Sequence, residues 1–270
     1  MNYNHKYLVK IYFYYYIMRK SKQRYFMKNL LIFSTIFLLS ACTPIVKQEP
    51  NQTIQVNQPS NGDYDSINKK HNKLLSEGEK LISTGDKKSA IINYFNPVIK
   101  EYETRYAHSS KRIYTARTQA EYDFYSMTAT NEGKIAHILS DTWSRAYFLK
   151  AYTLLELKEL RLAEKNIRKA LYLSPSNSKY LSELGHIQHL KKEWRKALGI
   201  YQLAEKSANL FTPQNLKQKE LLHAKRGIGY SYTELKEFKK AESVYKDILK
   251  INSNDRVARR ELKYLHSLNR

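Results

Sequence analysis

Few side chains in this sequence have the types and spacing to do chemistry. His186 and His189 stand three apart, and Glu193 follows four later, so one helix face could offer two imidazoles and a carboxylate to a zinc ion. Two histidines at this spacing arise readily in any helix, however, and Glu193 opens the next turn beside Lys191 and Lys192. No metal site is expected. The sequence holds no glycine-rich phosphate loop, nucleophile elbow or HExxH pair. It reads as a non-enzyme without a cofactor. The remaining reactive group is the thiol of Cys42, the sole cysteine, so no intrachain disulfide can form and the fold must rest on its apolar core.

The residues before Cys42 read as an address. From Met27 the sequence runs MKNLLIFSTIFLLSAC: Lys28, an apolar stretch from Leu30 to Leu39 broken only by Ser34 and Thr35, then small residues. The stretch is short for a bilayer span and ends as a cleavage site does, which marks a secretory signal in residues 1–41. Leu39-Ser40-Ala41-Cys42 resembles the lipobox of bacterial lipoproteins. The resemblance implies transfer of diacylglycerol (with palmitate-type chains) to the Cys42 thiol, cleavage before it, and acylation of the new amine. Two or three chains anchor stably where one is marginal. Thr43 is not the aspartate that marks inner-membrane retention in that family, so the implied location is the outer membrane, facing the periplasm. Residues 1–26 sit upstream of a complete signal, and translation is expected to begin at Met27; a long, genuine n-region is the alternative. Residues 42–68, with Pro44, Pro50, Pro59 and many Asn and Gln, read as a lipidated cysteine followed by a disordered tether.

Composition limits what the rest can be. The 270 residues are 42% hydrophobic, with only 8 Gly and 6 Pro, which argues against a turn-rich sandwich or barrel. The net charge is +22; residues 1–41 hold seven basic and no acidic residues, leaving +15 from Cys42 onward. Such a body attracts polyanions, although a lysine-rich solvated surface is the plainer account.

Three segments align on one template: 144–177, 178–211 and 222–255. Ala151 to Gly185, Ala163 to Ala197 and Ala170 to Ala204 are each 34 residues apart, while Gly185 to Gly229 and Ala197 to Ala241 are 44. The extra ten are expected in a loop around Ala208–Lys217, where Thr212-Pro213 breaks the helix. Small residues let paired helices approach, and Ile167, Tyr201 and Tyr245 fill the gap between hairpins. This pattern resembles the tetratricopeptide repeat, which implies an all-α fold: a right-handed superhelical solenoid of helical hairpins. Asn209 and Ser253 stand where that family usually has proline. Residues 256–270 read as a basic, amphipathic capping helix.

Residues 69–143 are less regular. His71–Thr104 matches partly, through Leu74, Gly78, Leu81, Ala90 and Tyr94, but Pro97 stands where a small residue belongs. Ser110–Trp143 offers Ile113, Ala116, Ala120 and Ala136, and is interrupted at Asn131-Glu132-Gly133. Both read as degenerate helical hairpins; a separate helical cap is the alternative.

In this family the first helices of successive hairpins line a concave groove. By that resemblance the partner-binding residues here are Tyr152, Glu156, Ser182, His186, His189, Arg226, Tyr230, Arg260 and Tyr264, suited to an extended peptide or a carboxylate-bearing tail. Equally, the tyrosines could pack between hairpins while the cations reach into water. Some members clamp a peptide's terminal carboxylate with a Lys/Asn set; Phe148, Ser182 and Arg226 occupy one of its rows here, so that mode is not supported. The expected function is a lipid-anchored scaffold for protein–protein interaction in envelope complex assembly, held to the membrane by its lipid and binding envelope proteins in the groove. The alternative is a binder of an anionic envelope polymer or nucleic acid, with nucleic acid the less expected partner.

Overall fold

The computed structural model describes residues 62–268, with side chains from Ser66 onward. The signal segment, Cys42 and the tether as far as residue 61 lie outside the described residues. The chain is built mainly of helical hairpins: α1 (Gly62–Thr84), a short α2 (Lys87–Ser89), a π-helical turn (Ala90–Phe95) and α3 (Asn96–Arg105); then, after a strand-containing unit, α5 (Thr142–Glu156) with α6 (Leu160–Leu173), α7 (Ser178–Leu190) with α8 (Trp194–Leu210), α9 (Gln214–Glu234) with α10 (Phe238–Ile251), and α11 (Arg256–Leu268). No helix among the described residues is long and apolar enough to cross a membrane.

One turn closes all four hairpins. Glu159 N–H bonds Leu154 C=O at 2.9 Å and Lys158 N–H bonds Leu155 C=O at 2.9 Å, the paired bonds that satisfy a helix end when the next residue turns left-handed. The same pair recurs at Lys192/Glu193, Lys236/Glu237 and Gly85/Asp86. The left-handed residue is glycine only in the first hairpin (Gly85, φ 95°); Lys158, Lys192 and Lys236 hold φ of 63°, 58° and 60°.

Across each hairpin a bulky side chain of the second helix lies on a small residue of the first. A Cβ on Gly185 would sit 2.8 Å from the Tyr201 ring, one on Gly229 2.7 Å from Tyr245, and one on Gly78 2.5 Å from Phe95. In the α5–α6 hairpin the equivalent positions are Ala151 and Ile167, both fully buried: a methyl is added on one side and the ring is lost on the other.

The first hairpin corrects a mismatch in the sequence pattern. Tyr94 and Pro97 are the residues in phase with the template, yet Phe95 lies on Gly78, and Phe95 and Val98 are fully buried. The π-turn explains it. Asn96 N–H bonds back to Ile91 C=O, five residues earlier, which adds one residue and shifts every later side chain by one. Pro97 has no N–H to donate to Asn93, so the ordinary ladder is already broken there.

The segment 110–143 is not a helical hairpin. It is a β-α-β unit: β1 (Arg112–Ala116) pairs in parallel with β2 (Ala136–Ser140), Arg112 opposite Ala136 through Ala116 opposite Ser140, and α4 (Gln119–Asn131) is the crossover. Ile113-Tyr114-Thr115 is a β-branched and aromatic run and Ile138-Leu139 an apolar pair, both short for a helix, and Thr118 caps α4 by accepting from Glu121 N–H at 3.2 Å. Asn131-Glu132-Gly133, read as an interruption, is the end of that helix, with Gly133 at φ 67°.

Two further boundaries move. Residues 62–68, expected in the tether, belong to α1, because Asn68 Oδ1 accepts from Thr142 Oγ1 at 2.6 Å, Ser140 Oγ at 2.9 Å and Tyr102 OH at 3.2 Å. The ten extra residues near Ala208–Lys217 form helix rather than loop: α8 and α9 run 17 and 21 residues, against 14 and 13 for α6 and α7, and only Phe211–Pro213 turns.

Candidate functional site

The first helices α1, α5, α7 and α9 line a cleft of ≈ 810 Å³. Tyr152 and Glu156 lie in its wall, and the half-buried Lys87 and exposed Glu156 pair at 3.3 Å. The remaining charged groups come from positions that the sequence pattern did not single out. Glu79 of α1 pairs with Arg145 of α5. Lys179 holds its ammonium 4.5 Å from the Phe148 ring centre. Glu183 lies one turn further along α7; burial pushes its carboxyl up to about 7, with Lys179 the one charge opposing the shift. Burial lowers Lys179 and also His223 at the far wall, where Arg226 adds to the effect. The cleft therefore presents Tyr152 and Phe148 among partly desolvated charges of both signs. Such a wall favours a polar extended segment over an apolar small molecule.

The other expected groove residues are placed differently. Ser182 is buried, 1% exposed, and its Oγ has no partner, so it is not on the groove surface. Arg226 is committed to Asp255: Nη2 to Oδ2 is 2.5 Å and Nε to Oδ2 3.1 Å, while Asp255 Oδ1 accepts from Ala258 N–H at 3.0 Å and so caps α11. Arg226 is thus the clamp that holds the end helix. His189 Nε2 lies 2.7 Å from Ser231 Oγ, and Ser231 Oγ donates its own proton to Gly227 C=O at 2.8 Å. The His189 Nε2 must then be the donor, which leaves Nδ1 as the one ring nitrogen with a free lone pair. Burial holds His189 neutral, down at about 4, beside the rings of Trp194, Tyr201 and Tyr230. Tyr230 is 39% exposed at the edge of that cluster. His186 and Tyr264 are exposed, and Arg260 pairs with its neighbour Glu261 at 2.8 Å. The structure does not bring these together with Tyr152 in one pocket. Cys42 lies outside the described residues.

Lys179, Glu183 and His223 lay beyond sequence reasoning because a charged residue on a helix reads as solvent-facing. A signal was present: Lys179 and Glu183 stand four apart on one face of α7, and Lys179 and His223 are one 44-residue period apart on α7 and α9.

Residues 144–177 and 227–255 match the family model described as tetratricopeptide repeat. These segments are tetratricopeptide repeats. Repeats of this kind are scaffolds that bind protein partners. A solved structure of PilF from Pseudomonas aeruginosa aligns over 76% of this chain and 71% of that one, at 14% identity and a TM-score of 0.52, a likeness of fold. The Cut9–Hcn1 hetero-tetramer of APC/C aligns over 77% of this chain and 40% of that one at 15% identity, with a TM-score of 0.42; MamA aligns over 68% and 92% at 15% identity, with a TM-score of 0.35. No curated protein matches the sequence.

Proposed function

We propose that this protein is a lipid-anchored scaffold without catalytic activity, which holds an extended segment of a partner protein in the α1/α5/α7/α9 cleft during assembly of an envelope complex. The observation that carries the reading is the cleft itself: ≈ 810 Å³, walled by the repeats' first helices, with rings at Phe148 and Tyr152 among charges of alternating sign. An extended peptide can exchange its own side chains and backbone groups for the pairings Glu79–Arg145 and Lys87–Glu156. The lipobox-like Leu39-Ser40-Ala41-Cys42 supports the anchor and, with Thr43, the outer-membrane address. Anchoring raises the local concentration of the cleft near membrane-bound partners.

The test is site-specific photocrosslinking in intact cells from a probe replacing Tyr152, compared with a probe replacing the exposed Tyr172 on the second helix of the same hairpin. One envelope protein crosslinked through a defined segment from Tyr152 alone, and lost with Glu183→Lys, supports the scaffold reading. Equal yields from both positions defeat it. The anchor is checked separately: Cys42→Ser should abolish incorporation of an alkyne-labelled palmitate and release the chain from the membrane fraction.

A further inference from the structure

A second pocket, of ≈ 510 Å³, lies away from the cleft, between α3, β1 and the α5–α6 hairpin. It exists because the β-α-β unit sets Lys111 and Arg112 opposite α6. Five cations line it, Lys111, Arg112, Lys165, Arg168 and Lys169, against one acid, Glu103. Two of the five are satisfied elsewhere: Arg168 pairs with Glu164, and the Arg112 guanidinium donates to the carbonyls of Ile113 and Tyr172, lying 3.7 Å over the Tyr172 ring. Glu103 is already taken by Lys169 at 2.8 Å and by the Tyr147 hydroxyl. The ammonium groups of Lys111 and Lys165 have no anionic partner among the described residues. Crowding is felt nearby: Lys150 is lowered by burial and then by Lys169, with Lys165 adding to it.

The same wall holds a buried donor without a well-formed bond. Trp143 is 8% exposed, and its indole Nε1–H has no hydrogen-bond partner of good geometry, although the Tyr147 hydroxyl lies close enough to be influenced by it. A buried N–H left unmatched costs free energy. The pocket thus supplies two unpaired ammonium groups, a third lysine shared with one acid, and the exposed ring of Tyr172.

We propose that this pocket binds a phosphate monoester carried on a flat or apolar group. A phosphate monoester near neutral pH carries close to two negative charges and three acceptor oxygens, and it gains more from clustered lysines than a singly charged carboxylate does. The exposed Tyr172 ring, one face of which Arg112 covers, takes the group that bears it on its edge or other face. The ester reaches the pocket either as a soluble molecule or as a lipid headgroup.

The experiment uses the full chain carrying Trp194→Phe, which leaves Trp143 as the one tryptophan, so that its emission reports on the pocket. Phenyl phosphate is titrated, with phenol and inorganic phosphate as controls, into this protein and into the same protein carrying Lys111→Ala and Lys165→Ala. Both lysines are exposed, so folding is preserved and is checked by circular dichroism. The expected result is saturable quenching by phenyl phosphate, weakened at least about tenfold in the double variant and absent with phenol. In parallel, co-sedimentation compares phosphatidylcholine vesicles with and without phosphatidic acid. Retention that requires both phosphatidic acid and the two lysines assigns the ester to a lipid headgroup; saturable phenyl phosphate binding without such retention assigns it to a soluble molecule. Absence of saturable quenching together with absence of lysine-dependent retention overturns the proposal, as does quenching that the double variant leaves unchanged.

Discussion

The guanidinium of Arg117 meets the carboxylate of Glu220 at 2.8 Å, across 103 residues of sequence and with both side chains nearly buried. Arg117 follows β1, and Glu220 lies in the first turns of the lengthened α9. The pair therefore joins the β-α-β unit to the ten-residue insertion. Around it, Glu121 accepts from Arg117 N–H at 2.5 Å, Glu220 takes hydrogen bonds from Ser178 and Thr212, Thr118 Oγ1 donates to Phe211 C=O at 2.9 Å, and the Phe124 and Phe211 rings stand 5.0 Å apart. Two departures from a regular repeat array are thus one device, each covering the other's polar groups.

Removing Arg117 should therefore cost more than a surface charge. Arg117→Ala leaves Glu121 and Glu220 buried together without their cation, and the expected loss is about 3–5 kcal/mol. The deficit should shrink as pH falls, because protonating either acid relieves the repulsion. Urea unfolding of wild type and variant at about pH 8 and about pH 5 checks this; a deficit that does not narrow would show that the loss comes from packing alone.

Stability should also depend on pH through two opposed groups. Burial raises Glu121 to about 7 from its ordinary 4.5, with Arg117 opposing. The folded form then takes up a proton before the unfolded one does, so this group adds stability as pH falls from about 7 to 4.5, by up to ~3 kcal/mol at 1.36 kcal/mol per unit. His189 acts in the other direction: its folded value of about 4 lies below the ordinary 6.5, so stability is lost as pH falls from 6.5 toward 4. Glu121→Gln should reduce the gain on acidification, leaving the share that Glu183 contributes in the same direction, and His189→Gln, which keeps a donor toward Ser231, should reduce the loss, leaving the share of His223. Unfolding free energies measured across this range for both variants test the two signs independently.

How much of this was legible in the sequence follows from what each signal depends on. The repeat phase was readable because helix pairs this close admit only small residues, so Gly185, Ala197 and Ala204 recur at fixed spacing wherever that contact is repeated. The π-turn was not, since one added residue leaves composition unchanged and presents only as Pro97 out of place. Strands of the Ile113-Tyr114-Thr115 kind are too short to show a period, so nothing in the pattern opposes a helical reading there. In the cleft, Tyr152 and Glu156 followed from repeat position, whereas the bond of Arg226 to Asp255 depends on where the end helix docks, which no local pattern states.

The hairpin turns predict a stabilisation with an unusual sequence origin. Lysine in the left-handed region costs about 1–2 kcal/mol, part of which glycine would give back as greater freedom in the unfolded chain. Lys158→Gly, Lys192→Gly and Lys236→Gly should each raise stability by about 0.5 kcal/mol, and Gly85→Lys should lower it by about 1 kcal/mol, although a Cβ at Gly85 meets nothing within 4 Å. Thermal melts of the four single variants decide it: a lysine-to-glycine change that lowers the midpoint would mean that the lysine side chain contributes more than its backbone costs.

Glycines within the helices separate into two kinds by what stands opposite them. Tyr201 lies between Gly185 of α7 and Gly227 of α9; a methyl at Gly185 would sit 2.8 Å from the ring, and one at Gly227 would have still less room. The ring is 3% exposed and cannot swing into solvent without opening the junction of two hairpins. Gly185→Ala and Gly227→Ala should each lose about 1–3 kcal/mol to overpacking, after any gain in helix propensity. Gly199 on α8 has nothing within 4 Å of its would-be Cβ, so Gly199→Ala should gain about 0.5–1 kcal/mol from propensity alone. Adding Tyr201→Leu to Gly227→Ala should recover part of the loss, because a smaller side chain opposite a methyl is the solution already present at Ala151 and Ile167. Denaturant midpoints for these four proteins test the pairing, and a Gly227→Ala loss that Tyr201→Leu only deepens would place the strain in the α9 backbone instead of at the ring.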